Sequence, residues 1–222
     1  KVFVAKLDSS GNMQWSNYFV GGNSENFGYS VHQMADSSYV VCGYLSDYPP
    51  YAPGTFILKL NSLGQILWAR KIYDSSYPAY YSTDFITTND GLIFYLESDI
   101  FLLLKTDFNG NILWSKKYEL LGAFGGYVNS PPLRIHRTFD GNYTLAHGSC
   151  WGGAIAEVDS LGNLIVAKPM ELGTVDLVKT NDRGFFVIGN GPMCGLKTDQ
   201  YLSPQIGIIK TDSLGNAPDC VF

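Results

Sequence analysis

One nine-residue segment keeps returning along this chain of 222 residues, and that recurrence limits the fold more than any other feature. It first reads Leu7-Asp8-Ser9-Ser10-Gly11-Asn12-Met13-Gln14-Trp15. It recurs as Leu60-Asn61-Ser62-Leu63-Gly64-Gln65-Ile66-Leu67-Trp68 and as Thr106-Asp107-Phe108-Asn109-Gly110-Asn111-Ile112-Leu113-Trp114. The later copies are Val158-Asp159-Ser160-Leu161-Gly162-Asn163-Leu164-Ile165-Val166 and Thr211-Asp212-Ser213-Leu214-Gly215-Asn216. Successive copies lie 53, 46, 52 and 53 residues apart. A second motif alternates with the first: Asp36-Ser37-Ser38-Tyr39, Asp90-Gly91-Leu92, Asp140-Gly141-Asn142-Tyr143 and Asp182-Arg183-Gly184-Phe185. Both are hairpin turns by their chemistry. Asp or Asn closes a turn with its side chain, and Gly takes the positive φ of a bulged hairpin.

Short runs rich in β-branched and aromatic residues flank every turn, so each period holds four strands, a to d. In the second period these fall at Tyr29–Ala35, Tyr39–Leu45, Thr55–Leu60 and Gln65–Tyr73. Four short strands per period of about 50 residues is the spacing of a β-propeller blade. A β-sandwich has no reason to repeat at near-constant length, and β-solenoids use shorter periods. The expected fold is all-β: a propeller of four-stranded antiparallel blades, with four to five repeats visible. A single propeller domain or propeller fragment over 1–222 carries repeats near 1–20, 27–73, 82–118, 131–168 and 173–216. The first repeat shows only strands c and d, at Val2–Leu7 and Met13–Val20. The last lacks a clear strand d, because Pro218 breaks it. Either these ends complete one small ring or the chain is part of a larger one; its opening strand reads as a cut inside a longer protein.

Composition fits that reading and narrows function. Charged residues are 16% of the chain, aromatics 14%, and there are 24 glycines, a mix suited to twisted sheet and tight turns. A net charge of −5 argues against a nucleic-acid groove, which needs clustered Lys and Arg. No apolar run reaches the ~20 residues of a membrane helix. The four cysteines, Cys42, Cys150, Cys194 and Cys220, form no CxxC pair, so zinc has little support. Cys42 reads as a small buried residue, whereas Cys150 and Cys194 could pair across neighbouring loops.

The repeat also aligns individual side chains. Trp15, Trp68 and Trp114 share one position, with Val166 in the fourth copy. A residue that Val can replace reads as a wedge between blades, beside the turn glycines Gly11, Gly64, Gly110, Gly162 and Gly215. Lys6, Lys59, Lys105 and Lys210 also align, with Glu157 in the odd copy; they offer either an anion-binding ring or snorkelling stems. His32 and His136 align with Ile86 and Val178, which suggests a buried position rather than a metal pair, and His147 reads as loop-proximal. Asp107 opens something like a calcium loop, but Ile112 stands where Gly is required and Tyr118 where Glu is. The glycosylation pattern Asn142-Tyr143-Thr144 falls in a tight hairpin. No catalytic residue, metal site or cofactor is expected.

Function is expected elsewhere. The a–b and c–d turns hardly vary, whereas the b–c and d–a connections vary greatly. From the a–b Asp to the next c–d motif the distances are 25, 17, 19 and 30 residues. Antiparallel strands put both variable classes at one end of each blade, where loops on a rigid scaffold carry binding groups. Those loops are rich in Tyr and Pro. The candidate ligand-binding residues are Tyr48, Tyr51, Tyr73, Tyr77, Tyr80, Tyr81, Tyr127, Trp151 and Tyr201, large rigid contacts of low entropy cost. Alternatively they roof the blades. A glycan hydrolase or lyase would need paired carboxylates in one cleft; Asp47, Asp74, Glu97 and Glu119 are the loop candidates, and nothing pairs them.

The alternation of DxxGNxxW and Asp-Gly turns resembles the tandem propeller repeats of large secreted and surface proteins from Bacteroidetes, which often end in a type IX sorting domain. The closing Lys210-Thr211-Asp212-Ser213-Leu214-Gly215-Asn216, followed by Cys220, is similar to the end of such a region. The resemblance implies a secreted or cell-surface location. It implies no ligand, and no sorting domain is present in this sequence. The expectation is a non-enzymatic binding or adhesion module for a glycan or a protein, joined to further blades or domains of its parent chain. A structural spacer without a ligand is the alternative.

Overall fold

The computed structural model describes residues 1–20, 26–46, 54–73, 81–97, 101–118, 134–149, 152–170, 173–190 and 206–217. Seventeen strands and no helix occur among them. The chain divides into two compact units, Lys1–Ser115 and Lys116–Phe222.

In the first unit β1 (Val2–Leu7) pairs with β2 (Met13–Phe19). A four-stranded meander follows: β3 (Asn26–Gln33), β4 (Tyr39–Leu45), β5 (Gly54–Leu60) and β6 (Ile66–Ile72). A second meander holds β7 (Tyr81–Thr87), β8 (Leu92–Glu97), β9 (Phe101–Thr106) and β10 (Ile112–Tyr118), the last crossing the unit boundary. The second unit has β11 (Arg134–Arg137), β12 (Tyr143–Ser149), β13 (Gly152–Val158) and β14 (Leu164–Met170) in one sheet. A three-stranded sheet of β15 (Gly173–Lys179), β16 (Phe185–Asn190) and β17 (Ile206–Lys210) completes it. Each sheet is a consecutive antiparallel meander, the form of a propeller blade.

Burial follows strand position. Strands b and c are apolar on both faces, as strands covered on both sides must be. All seven residues of β4 are buried, while β6, a d strand at the sheet edge, is mostly exposed. The β3–β6 sheet buries Val41, Phe56, Leu58 and Leu60 against Val2, Val4, Trp15 and Phe19. Its other face packs Val40, Cys42 and Ile57 against Phe85, Phe94 and Leu104. In the second unit Ala146 and Ile155 meet Leu177, Phe185 and Val187.

Expected strand a of the second repeat is shifted: β3 spans Asn26–Gln33, not Tyr29–Ala35. The cause is the turn, in which the Met34 N–H donates to the Ser38 carbonyl and the Ser37 N–H donates to the Met34 carbonyl. Met34 thus belongs to the turn, and a bulge between Gly28 and Ser30 absorbs the register on the other side.

Candidate functional site

The two ends of each sheet differ in kind. At the turn end the c–d hairpins repeat one geometry. The Gly11 N–H donates to the Asp8 carbonyl, and Asp8 Oδ1 accepts from the Ser10 and Asn12 N–H groups at 2.9 Å. Asn61, Asp107, Asp159 and Asp212 do the same in their turns. Gly11, Gly64, Gly110, Gly162 and Gly215 all sit at φ between 77° and 83°, where a Cβ would be strained. These donors hold the carboxylates below the usual range: chiefly the Asn12 backbone N–H at Asp8, the Asn111 side chain at Asp107 and the Asn163 backbone N–H at Asp159. Both carboxylate oxygens of Asp107 are therefore engaged in the turn itself, which accounts for the calcium-like sequence.

The a–b turns depart from the expectation that Gly carries the positive φ. Gly141 does, at 87°, but Ser37 and Arg183 adopt φ of 64° and 68° in the equivalent turns. Gly91 and Gly184 are needed for another reason. A Cβ there would stand 1.8 Å from the Thr106 carbonyl oxygen and 2.0 Å from that of Thr211.

Tryptophan lies over the turn glycine of the following sheet. A Cβ on Gly64 would come within 2.7 Å of the Trp15 ring, and one on Gly110 within 3.1 Å of Trp68. Trp15 Nε1 donates to the Ser62 carbonyl at 3.0 Å. Trp68 Nε1 is buried with no partner among the described residues. Trp114 is half-buried in β10. In the fourth copy Val166 is too short to fill this place, and the Lys168 stem lies over Gly215 instead, its Cγ 2.6 Å from where a Cβ on that glycine would stand.

The aligned lysines are neither an open anion ring nor stems alone. Lys59, Lys105 and Lys210 bridge to the a–b aspartates Asp36, Asp90 and Asp182 at 3.4, 2.6 and 2.7 Å. Lys6 stands over the Tyr39 ring, 5.5 Å from its centroid. Where Glu157 replaces lysine, Lys179 arrives from β15 and bonds both Asp140 (2.8 Å) and Glu157 (2.5 Å). Asn142 Nδ2 donates to Glu157 Oε1 at 2.7 Å, so the amide of the glycosylation-like pattern is used inside the fold. Hydrogen bonds from Lys179 and Thr138 lower the Asp140 carboxyl. Burial works against the Lys179 charge, but the hydrogen bonds to Asp140 and Glu157 outweigh it and raise its ammonium.

His32 and His136 correct the reading of a buried site. Their side chains are 39% and 38% exposed. Each faces a carboxylate on strand a of the following sheet: His32 Nε2 lies 3.8 Å from Asp84 Oδ1, and His136 Nε2 lies 2.6 Å from Asp176 Oδ1. Ser30 Oγ also donates to Asp84, at 3.1 Å. Asp84 and Asp176 were missed by the sequence reading. Both lie six residues before the a–b Asp, directly after a bulge. That shared offset was the available signal, obscured because Ser30 and Arg134 hold it in the other copies. His147 lies within β12 opposite Ala154. Among the described residues no group of three or more His, Cys, Asp or Glu is placed to hold a metal.

The other end of each sheet launches the variable connections. Tyr73, just past β6, is 61% exposed there, and Tyr81 opens β7. Tyr48, Tyr51, Tyr77, Tyr80, Tyr127, Trp151 and Tyr201 lie outside the described residues, as do Asp47, Asp74, Glu119, Cys150, Cys194 and Cys220. Glu97 ends β8. Cys42 is fully buried in β4.

No protein-family model matches the chain, and no curated protein matches it in sequence. Solved structures match it in fold. A protein of unknown function from Bacteroides caccae superposes with a TM-score of 0.51 at 13% identity, covering 96% of this chain and 72% of that one. The Dos1 propeller superposes with a TM-score of 0.57 at 11% identity, covering 97% of this chain and 52% of that one. This is a likeness of fold. The chain is built of β-propeller blades. It spans about half the length of the Dos1 propeller chain. No helix among the described residues is long and apolar enough to cross a membrane.

Proposed function

We propose that this chain is a non-enzymatic binding module of a secreted or cell-surface protein, contacting a glycan or a protein through the Tyr- and Pro-rich loops at the b–c and d–a ends of its blades. The contrast between the two sheet ends supports this reading. At the turn end, polar side chains are consumed by the fold: the c–d aspartates cap their own turns and the a–b aspartates are bridged by lysine. At the other end the connections differ in length and composition, and Tyr73 stands exposed. Among the described residues, the turn end offers a ligand fewer uncommitted polar side chains. The secreted location rests on the sequence resemblance.

A glycan array and a pull-down from surface extract test the reading, with Tyr73→Ala and Tyr48→Ala as loop variants and Lys59→Gln as the turn-end control. Loss of an aromatic anchor at the loops lowers affinity about tenfold or more, whereas Lys59→Gln leaves it unchanged. Silence in both assays, or sensitivity to Lys59→Gln alone, rejects it.

One observation favours the spacer reading as the second choice. The outer face of β1–β2 exposes Phe3, Leu7 and Tyr18, and that of β15–β17 exposes Val178, Phe186 and Ile208. Apolar sheet faces of this kind suit stacking against further blades of a parent chain. A longer parent fragment that is markedly more stable, yet inert in both assays, would favour the spacer.

A further inference from the structure

We propose that a cleft between the β1–β2 sheet and the β3–β6 sheet, within the first unit, is a binding site for a small apolar compound bearing a carboxamide or lactam group. The cleft holds about 360 Å³, at the small end of the range of ligand sites, roughly 300–1,000 Å³. It admits one compact group. Val2, Phe19, Leu45, Phe56 and Leu58 line it with hydrocarbon. Asn26 interrupts that lining.

Asn26 is the first residue of β3 and pairs in register with Leu45. It is only 7% exposed, and neither Oδ1 nor Nδ2 has a hydrogen-bond partner among the described residues. Buried amides are almost always satisfied in native proteins. An unsatisfied one weakens the fold, and Leu at this position would fill the same space without that penalty. The amide therefore points to an occupant of the cleft that supplies its partners.

The amide presents one acceptor and two donors from neighbouring atoms. The matching group carries a C=O and an N–H on the same side, so that two parallel hydrogen bonds close at once. Primary carboxamides and lactams do this, and so does an extended peptide residue through its own N–H and C=O. A carboxylate supplies no donor, and a pure hydrocarbon satisfies neither atom. The apolar walls require that the rest of the ligand be hydrocarbon. Lys71 and Arg70 on β6 also border the cleft, although the Arg70 guanidinium itself lies over the Trp68 ring.

The cleft lies at the loop end of these sheets, but its test uses none of the loop tyrosines. Wild-type protein is titrated with 3-phenylpropanamide, N-acetyl-leucine methylamide, 3-phenylpropanoate and butylbenzene, followed by NMR shifts of the Asn26 side-chain amide and by thermal shift. The carboxamide is expected to bind at least tenfold more tightly than 3-phenylpropanoate or butylbenzene, and to move the Asn26 resonances. Binding of the leucine derivative in its place assigns the same chemistry to a peptide source. Asn26→Leu is expected to raise the melting temperature, lose at least tenfold in carboxamide affinity and keep affinity for butylbenzene. Ala69→Trp, which plugs the cleft from exposed β6, abolishes binding of all probes and carries the test should the Asn26 variant fail to fold. Equal affinity for amide and hydrocarbon, unmoved Asn26 resonances, undiminished carboxamide binding by Asn26→Leu, or unchanged binding in Ala69→Trp each overturns the proposal.

Discussion

The β3–β6 sheet and the β11–β14 sheet occupy the same place in the repeat, yet they hold their neighbours by different physics. In the first, Lys59 on strand c faces Trp68 across the pair β5–β6. Its ammonium bridges to Asp36, which is largely exposed, and reaches the next sheet only through a long 3.4 Å hydrogen bond to the Phe108 carbonyl, while the Trp68 ring lies over Gly110 of that sheet. In the second, Glu157 faces Val166 across β13–β14. Both members of the facing pair have changed together. The ring that adhered to the next sheet is gone, and a carboxylate 3% exposed now needs a cation. Lys179 of that next sheet provides it. An apolar, short-range contact has been exchanged for a buried ionic one. The exchange shows that the repeat specifies a place for adhesion between sheets and leaves open the force that supplies it.

The sharpest way to break this contrast is to remove the cation. Lys179→Met leaves Glu157 buried and uncompensated, which costs about 3–5 kcal/mol in comparable buried pairs. Lys59→Met removes a bridge to an exposed aspartate and a long hydrogen bond to the Phe108 carbonyl of the next sheet, and costs about 1 kcal/mol. Urea denaturation of the two variants measures the difference; equal losses would mean that the ion pair does not hold the second unit's sheets. Adding Glu157→Gln to Lys179→Met restores most of the loss, because Asn142 can still donate to the new amide oxygen. The pH dependence has a definite sign. The Lys179 ammonium is raised above its ordinary 10.5, so its stabilisation is whole below pH 10.5 and fades as pH climbs through the folded value. Asp140 is depressed below 3.8; its contribution is whole above that pH and fades as acid carries it through its folded value. The stability gap between wild type and Lys179→Met therefore narrows at both extremes.

The apolar half of the comparison predicts a smaller effect of opposite distribution. Trp68→Ala opens a hole between Gly110 and the cluster of Val40, Ile57 and Leu104, at about 3 kcal/mol. Val166→Ala, at the equivalent place, removes far less surface and costs about 1.5 kcal/mol. Melting of the two variants decides the matter: a Val166 loss as large as that of Trp68 would make the two sheets alike after all.

How much of this was readable beforehand follows the range of the interactions. Strands and turns are local. The Asp, Gly and Asn of the c–d motifs (Asn, Gly and Gln in the second copy) bond within five residues, and β1, β4 and the glycines at positive φ fall where the motif places them. The break in the alignment at Glu157 and Val166 was visible as well, but its meaning was not, because Lys179 lies 22 residues away on another sheet. His32 and His136 mislead for a related reason. Ile86 and Val178 at the same position argue for burial, yet what surrounds strand a is set by the following sheet, where Asp84 and Asp176 follow a bulge that shifts their register. The candidate Tyr residues, Tyr73 and Tyr81 apart, fall in connections outside the described residues; the repeat offers no template for loops whose length changes in every copy.

The smallest expected effect tests whether turn chemistry, unlike adhesion between sheets, is uniform across the chain. Ser37 and Arg183 hold φ of 64° and 68° where the β11–β12 turn has Gly141 at 87°. A side chain in this left-handed region costs roughly 1–2 kcal/mol relative to the right-handed one, and Gly gives back part of that gain through the greater freedom of its unfolded chain. Ser37→Gly and Arg183→Gly should each stabilise the fold by about 0.5 kcal/mol, and Gly141→Ala should destabilise it by about 1 kcal/mol. The Ser37 and Arg183 variants must agree with each other, because one lies in the first unit and the other in the second, while their turns share one hydrogen-bond pattern: the Ser37 N–H donates to the Met34 carbonyl and the Arg183 N–H to that of Thr180. A gain at one site and a loss at the other, read from melting temperatures, would mean that each turn draws its stability from its own sheet's surroundings, and the contrast between Trp68 and Lys179 would then extend to the turns as well.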